Sequence, residues 1–132
     1  MFGSFGSGYG LLCYPSGCAL TSENTFLVCD SLNMRLQEFS LTGEFVRSIK
    51  PPARQQEVIM PWDVAVDKWG NILVTDWSNH RVVIFGTDGE TISFGNHGNG
   101  LREMSYPFGM AVTNEGGIIV SDTGNTRLLI FD

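Results

Sequence analysis

A chain of 132 residues with 8 basic against 14 acidic side chains and a net charge of −6 has room for one ordinary domain, and its charge disfavours a broad electrostatic footprint for nucleic acid. Its 42% apolar content with 16 glycines fits a globular all-β protein with many tight turns and not a disordered tail; no apolar run is long enough to span a membrane, and no basic, apolar leader opens it. Three cysteines without a Cys-x-x-Cys pair indicate neither a disulfide framework nor a zinc site, so a reducing, cytoplasmic setting is expected.

The chain contains three copies of one pattern. An offset of 46 residues carries Asp30 to Asp76 and Asp76 to Asp122, and it also relates Pro15, Pro61 and Pro107, and Ala19, Ala65 and Ala111. Seven columns hold one residue type in every copy, the other four being Val28, Val74 and Val120; Asn33, Asn79 and Asn125; Arg35, Arg81 and Arg127; and Phe39, Phe85 and Phe131. A fixed period of about 40 to 50 residues rich in short strands points to the blades of a propeller. The expected architecture is all-β, a partial β-propeller of about three four-stranded antiparallel blades. Their spans are 15–50, 61–95 and 107–132, the last lacking its fourth strand, with residues 1–14 forming the end of a preceding blade and a loop.

In chain order, Phe2-Gly3-Ser4 reads as the tail of a strand, because Phe2 lies thirteen residues before a repeat proline, as Phe94 does. Glycine-rich loops follow at 6–10 and 95–100, but no helical period comes after them, which argues against a phosphate cradle. Each proline opens a first strand with a small central alanine, suited to the crowded position nearest the ring axis. Asn24, Gly70 and Gly116 share a turn column and are residues that tolerate a left-handed backbone, so a hairpin is predicted there.

The second strands, 26–29, 72–75 and 118–121, are nearly continuous apolar runs, as expected of strands covered on both faces. Cys18 and Cys29 sit in apolar columns and read as packing residues. The third strand runs from the repeated arginine to the repeated phenylalanine, and the fourth occupies 44–49 and 90–94.

The segments PWDVAVDKWGNILVTDWSNHRVVIFGTDGE and PFGMAVTNEGGIIVSDTGNTRLLIFD resemble NHL repeats. The likeness extends over nearly the whole chain, the first copy departing from it where Ser22-Glu23-Asn24-Thr25 replaces the glycine turn. The resemblance implies a six-bladed propeller acting as a recognition platform, found most often at the end of tripartite-motif (TRIM) ubiquitin ligases, some of which bind RNA. It implies no catalytic centre and no cofactor in this chain; the partner would be a protein or ubiquitination substrate.

The residues offer few chemical candidates. The sets Asp30, Asn33, Arg35; Asp76, Asn79, Arg81; and Asp122, Asn125, Arg127 recur in every copy, so they read as scaffolding. The aspartate would pair with the arginine across the hairpin, and the asparagine would supply the left-handed turn residue. His80 and His97 are the only imidazoles and form no metal-ligand set, which disfavours a fragment of a metal-dependent propeller lyase.

A meander brings the loops before the first strands and between the second and third strands to one face. That face collects Trp62, Phe108, Arg102, Leu32, Met34, Trp77 and His80, a partner-binding set in which Trp77 leads; Trp69 belongs to the opposite face. The one basic cluster, Arg47, Lys50 and Arg54, is a weak basis for an RNA-binding alternative. Blades of this kind bury their faces only against neighbours, so self-association or further blades are expected to cover the two end faces.

Overall fold

In the computed structural model, which describes residues 1–51 and 58–132, the period becomes three antiparallel sheets. The first holds β1 (Pro15–Leu20), β2 (Thr25–Asp30), β3 (Arg35–Ser40) and β4 (Phe45–Ile49) in that order. The second repeats it with β5 (Pro61–Val66), β6 (Ile72–Asp76), β7 (Arg81–Phe85) and β8 (Thr91–Phe94). A short parallel pair, β9 (Asn96–His97) with β10 (Glu103–Met104), bridges to the third sheet of β11 (Pro107–Val112), β12 (Ile118–Asp122) and β13 (Arg127–Phe131).

The hairpins follow from local chemistry. Asn24, Gly70 and Gly116 have φ of 59°, 90° and 93°, the left-handed backbone that the first turn of each unit requires. Between the second and third strands lies a three-residue 3-10 turn, and here the expectation for the asparagines is corrected. The left-handed residue is the next one, Met34, His80 or Thr126 (φ 57°, 55° and 55°), while Asn33, Asn79 and Asn125 end the turn. The asparagine amide is drawn to the aspartate three residues earlier, which fixes it inside the turn.

First strands stand side by side, β1 against β5 and β5 against β11, so the sheets splay from a common inner edge as propeller blades do. The cores lie between them. Leu27, Cys29 and Leu36 of the first blade close on Val64, Ile72 and Val74 of the second, all buried. The next junction repeats the device, with Val82 of β7 and Val120 of β12 buried around Met104 of β10. Burial pushes the Cys29 thiol far above its ordinary range, with the Asp63 charge adding to the shift, so it is an inert packing group.

Among the described residues nothing gives the two end faces such cover. Leu128 stands in the column of Leu36 and Val82, yet it is 68% exposed, and Ile130 is 71% exposed. At the other end Cys18 is exposed, whereas Val64 in the same column is buried against the first blade. Its expected packing role is therefore corrected, since among the described residues no blade lies on that side of β1.

The strand tail expected at residues 2–4 forms no ladder, because among the described residues no neighbouring strand is there to pair with; next to it Phe5 and Leu12 make an isolated bridge. Its packing is nonetheless that of the repeat. The Phe2 ring lies 5.0 Å from that of Phe39, as Phe94 lies 4.9 Å from Phe131. Among the described residues no helix is long and apolar enough to cross a membrane.

Candidate functional site

The repeated polar residues grip the loop that leads into each blade. Asp122 is fully buried; Oδ1 accepts the Ser105 N–H at 2.7 Å, and Oδ2 accepts Asn125 Nδ2 at 2.9 Å and Arg127 Nε at 2.7 Å. The other two side chains then reach outward: Asn125 donates to the Gly98 carbonyl, and Arg127 to those of Asn99, Gly100 and Glu103.

The first blade repeats this, Asp30 accepting from the Cys13 N–H while Asn33 donates to Gly6 and Arg35 to Gly8 and Leu11. In the second, Asp76 accepts the Met60 N–H and Asn79 donates to the Val58 carbonyl. The aspartate–arginine pairing across the hairpin is present in all three, at 2.7 to 2.8 Å. Burial raises the Asp122 carboxyl, but hydrogen bonds from Ser105, Asn125 and Arg127 together with the arginine charge outweigh it and leave the pKa below the ordinary value.

Gln37, buried two residues after Arg35, adds to the grip in the first blade alone. Its amide donates to the Leu11 carbonyl and to Asp30, and its oxygen accepts the Gly10 N–H. Val83 and Leu129 hold the same column elsewhere, so no repeat signal marked it.

Four of the proposed residues come together here, Trp62 and Phe108 at the starts of β5 and β11 and Trp77 and His80 on the hairpin between β6 and β7. Trp62 stacks edgewise on Phe108 at 4.8 Å, and the Trp77 ring lies 6.3 Å from both. Trp77 also meets Tyr106 at 4.7 Å, which contacts His80 at 4.5 Å, and His80 stacks on His97 at 4.1 Å. The result is one continuous row of six rings. Its members are half-buried, apart from the exposed His97 and Tyr106.

His80 Nδ1 accepts the Tyr106 N–H at 3.0 Å, which fixes a neutral tautomer with the proton on Nε2. Burial and the His97 charge lower the His80 pKa, against a smaller upward pull from Asp76. Trp77 Nε1 is buried with no hydrogen-bond partner among the described residues, an arrangement that costs about 1–3 kcal/mol.

The sequence pattern singles out neither Tyr106 nor His97 as part of this face. Tyr106 has a φ of 50°, and Tyr14, the same column in the first copy, has 52°. Both precede a repeat proline, where the backbone normally prefers an extended conformation, so each tyrosine is held in a strained state. The two tyrosines 92 residues apart were a readable sign, hidden because Met60 interrupts the column.

The remaining candidates stand apart from this row. Leu32 and Met34 occupy the first blade's hairpin, 46% and 43% exposed, and Arg102 is exposed in the turn before β10. Trp69 lies on the turn between β5 and β6, against Gly116 of the next blade, with Lys68 Nζ 4.6 Å above its ring. Of the basic cluster, Arg47 is paired with Glu38 at 2.5 Å, and Arg54 lies outside the described residues. Among the described residues no three His, Cys, Asp or Glu side chains are grouped to hold a metal ion.

Comparison with known proteins agrees with the propeller fold. The NHL repeat family model matches residues 59–85, the loop end and first three strands of the second blade. A streptogramin B lyase structure superposes with a TM-score of 0.70 at 13% identity, over 89% of this chain and 36% of that one. Selenomethionine-substituted virginiamycin B lyase from Staphylococcus aureus gives 0.63 at 12% identity over 89% and 41%, and a structural-genomics protein of unknown function from Bacteroides thetaiotaomicron gives 0.60 at 22% over 82% and 30%. The likeness is one of fold, and the chain spans well under half the length of these structures. No curated protein matches it.

Proposed function

We propose that this chain is the recognition part of a larger protein, a non-catalytic NHL-repeat propeller segment that binds a protein through the face carrying the aromatic row. The parent is in this reading a cytoplasmic TRIM-type ubiquitin ligase. This chain selects the substrate, and a zinc-bearing RING elsewhere in the parent supplies catalysis. The observation that carries the reading is the row itself. Trp62, Phe108, Trp77, Tyr106, His80 and His97 form connected aromatic surface across strand ends, a hairpin and a lead-in loop, with Tyr106 held in a left-handed backbone. Rigid aromatic side chains with few rotamers are the usual anchors of protein interfaces.

The support from comparison is coarser: the family match places an NHL repeat here, and the matched lyases share architecture at low identity. The test compares proteins recovered with the wild-type chain and with Trp77→Ser and Tyr106→Asn variants, each checked for an unchanged circular dichroism spectrum. Asn tolerates the left-handed backbone at 106, so that variant removes the ring and spares the fold. Partners lost from both variants and resistant to RNase are expected. Recovery that disappears with RNase and falls steeply with salt moves the function to RNA binding.

A further inference from the structure

At the inner edge of this face, Tyr14, Trp62, Asp63 and Phe108, with Gly17 and Gly109, line a concavity where the three first strands meet. One column explains its floor: the first and third copies have glycine, Gly17 and Gly109, where the second has Asp63. A Cβ on Gly17 would come within 2.7 Å of the Asp63 Cα, so glycine makes room for this residue. The carboxylate is fixed by two backbone donors, Val64 N–H on Oδ1 and Met110 N–H on Oδ2, both at 2.9 Å.

Among the described residues that negative charge has no ion-pair partner. Among the described residues the acids paired with arginine are Asp30, Glu38, Asp76 and Asp122, and Asp63 is in none of these pairs. A structural tie between inner strands needs no charge. Thr75 Oγ1 accepts the Asp63 N–H and donates to the Phe108 carbonyl, tying β5 to β11 through a hydroxyl. Around the carboxylate stand the crossed rings of Trp62 and Phe108 and the 72% exposed ring of Tyr14, held in its strained backbone. Aromatic faces and a fixed carboxylate around one concavity both favour a cation.

We propose that this concavity is a socket for a cationic side chain, lysine or arginine, presented by an exposed segment of the protein partner. It rests on the protein-recognition reading and adds the chemistry of the partner's anchor residue. The cation's charge meets Asp63, and its stem or guanidinium plane lies against Trp62 and Phe108 with Tyr14 as the outer wall.

The test titrates the full chain with N-acetyl-lysine methylamide and N-acetyl-arginine methylamide, with the norleucine analogue as an uncharged control. Tryptophan fluorescence is the readout, assigned with Trp62→Phe. Saturable binding of a cationic amide and at least about tenfold weaker binding of norleucine are expected. Asp63→Asn should weaken the cationic ligand about tenfold, and Tyr14→Asn, which keeps a residue tolerant of that backbone, about threefold.

Binding of norleucine as tight as lysine overturns the proposal, as does no binding at all or a cation affinity indifferent to Tyr14→Asn. If Asp63→Asn does not fold, the Tyr14 variant and the norleucine ratio decide. Failure here with partners still lost from the Trp77 and Tyr106 variants sinks the socket alone, whereas partners unaffected by those variants sink the recognition face.

Discussion

Asp76 illustrates how one side chain can carry a whole turn. It is fully buried and accepts hydrogen bonds from the Met60 N–H, Asn79 and Arg81, so it satisfies the lead-in loop, the 3-10 turn and the start of β7 together. Replacing it with alanine removes at once the acceptor of the Met60 N–H, of the Asn79 amide and of Arg81 Nε. The expected cost is about 1–3 kcal/mol in urea denaturation, a sizeable share of ordinary domain stability, and a loss within about 0.5 kcal/mol would refute the assigned role. The repeat made these aspartates legible in sequence. What it could not convey was the outward reach of asparagine and arginine to loop carbonyls, because backbone acceptors leave no mark in a sequence.

At the scale of elements, the contact between the His80 hairpin and the loop before β11 depends on a neutral imidazole. The unfolded chain protonates His80 near the ordinary 6.5, while the folded chain does so only at lower pH, because burial and His97 disfavour the charge. Stability is therefore unaffected above about 6.5 and declines as pH falls through 6.5 toward the lowered folded value. Glu38 and Asp122, lowered from 4.5 and 3.8, lose their contribution only further into acid, which separates the windows. Thermal melts between pH 8 and 5 should show this decline in wild type and a flatter profile in His80→Asn, with asparagine suited to the φ of 55°. Equal slopes would remove the histidine from the account.

Much of this level was readable from spacing. Strand order and the left-handed Asn24, Gly70 and Gly116 follow from columns and turn chemistry. The parallel pair of Asn96–His97 with Glu103–Met104 did not, because two-residue strands carry no alternation, and the glycines around them suggested only loop. The same loop hid Tyr106. Residues before proline are usually extended, and nothing local announces the exception.

For the whole molecule, the buried junctions and the open end faces are the same surface in two situations. Leu36 and Val82 are fully buried by the following blade, and Leu128 in that column is 68% exposed, with Ile130 beside it at 71%. Burying a leucine-sized side chain contributes roughly 1.5–3 kcal/mol, so the isolated chain should associate through this face. Light scattering on the purified chain is expected to show concentration-dependent self-association that Leu128→Lys with Ile130→Lys suppresses. A cooperative melting monomer at every concentration would contradict it. The six-blade ring implied by the repeat resemblance bears on the same surface, since further blades would occupy it.

The polar grip on the lead-in loops has one further consequence. Gly6, Gly8 and Leu11 offer their carbonyls to Asn33 and Arg35 as Gly98, Gly100 and Glu103 do to Asn125 and Arg127, although the two loops share little beyond glycine. Fastening through main-chain oxygen is indifferent to side-chain identity. Mutation can therefore rewrite the outward lettering of each loop while its anchorage persists, and a single framework can acquire new specificities without being rebuilt.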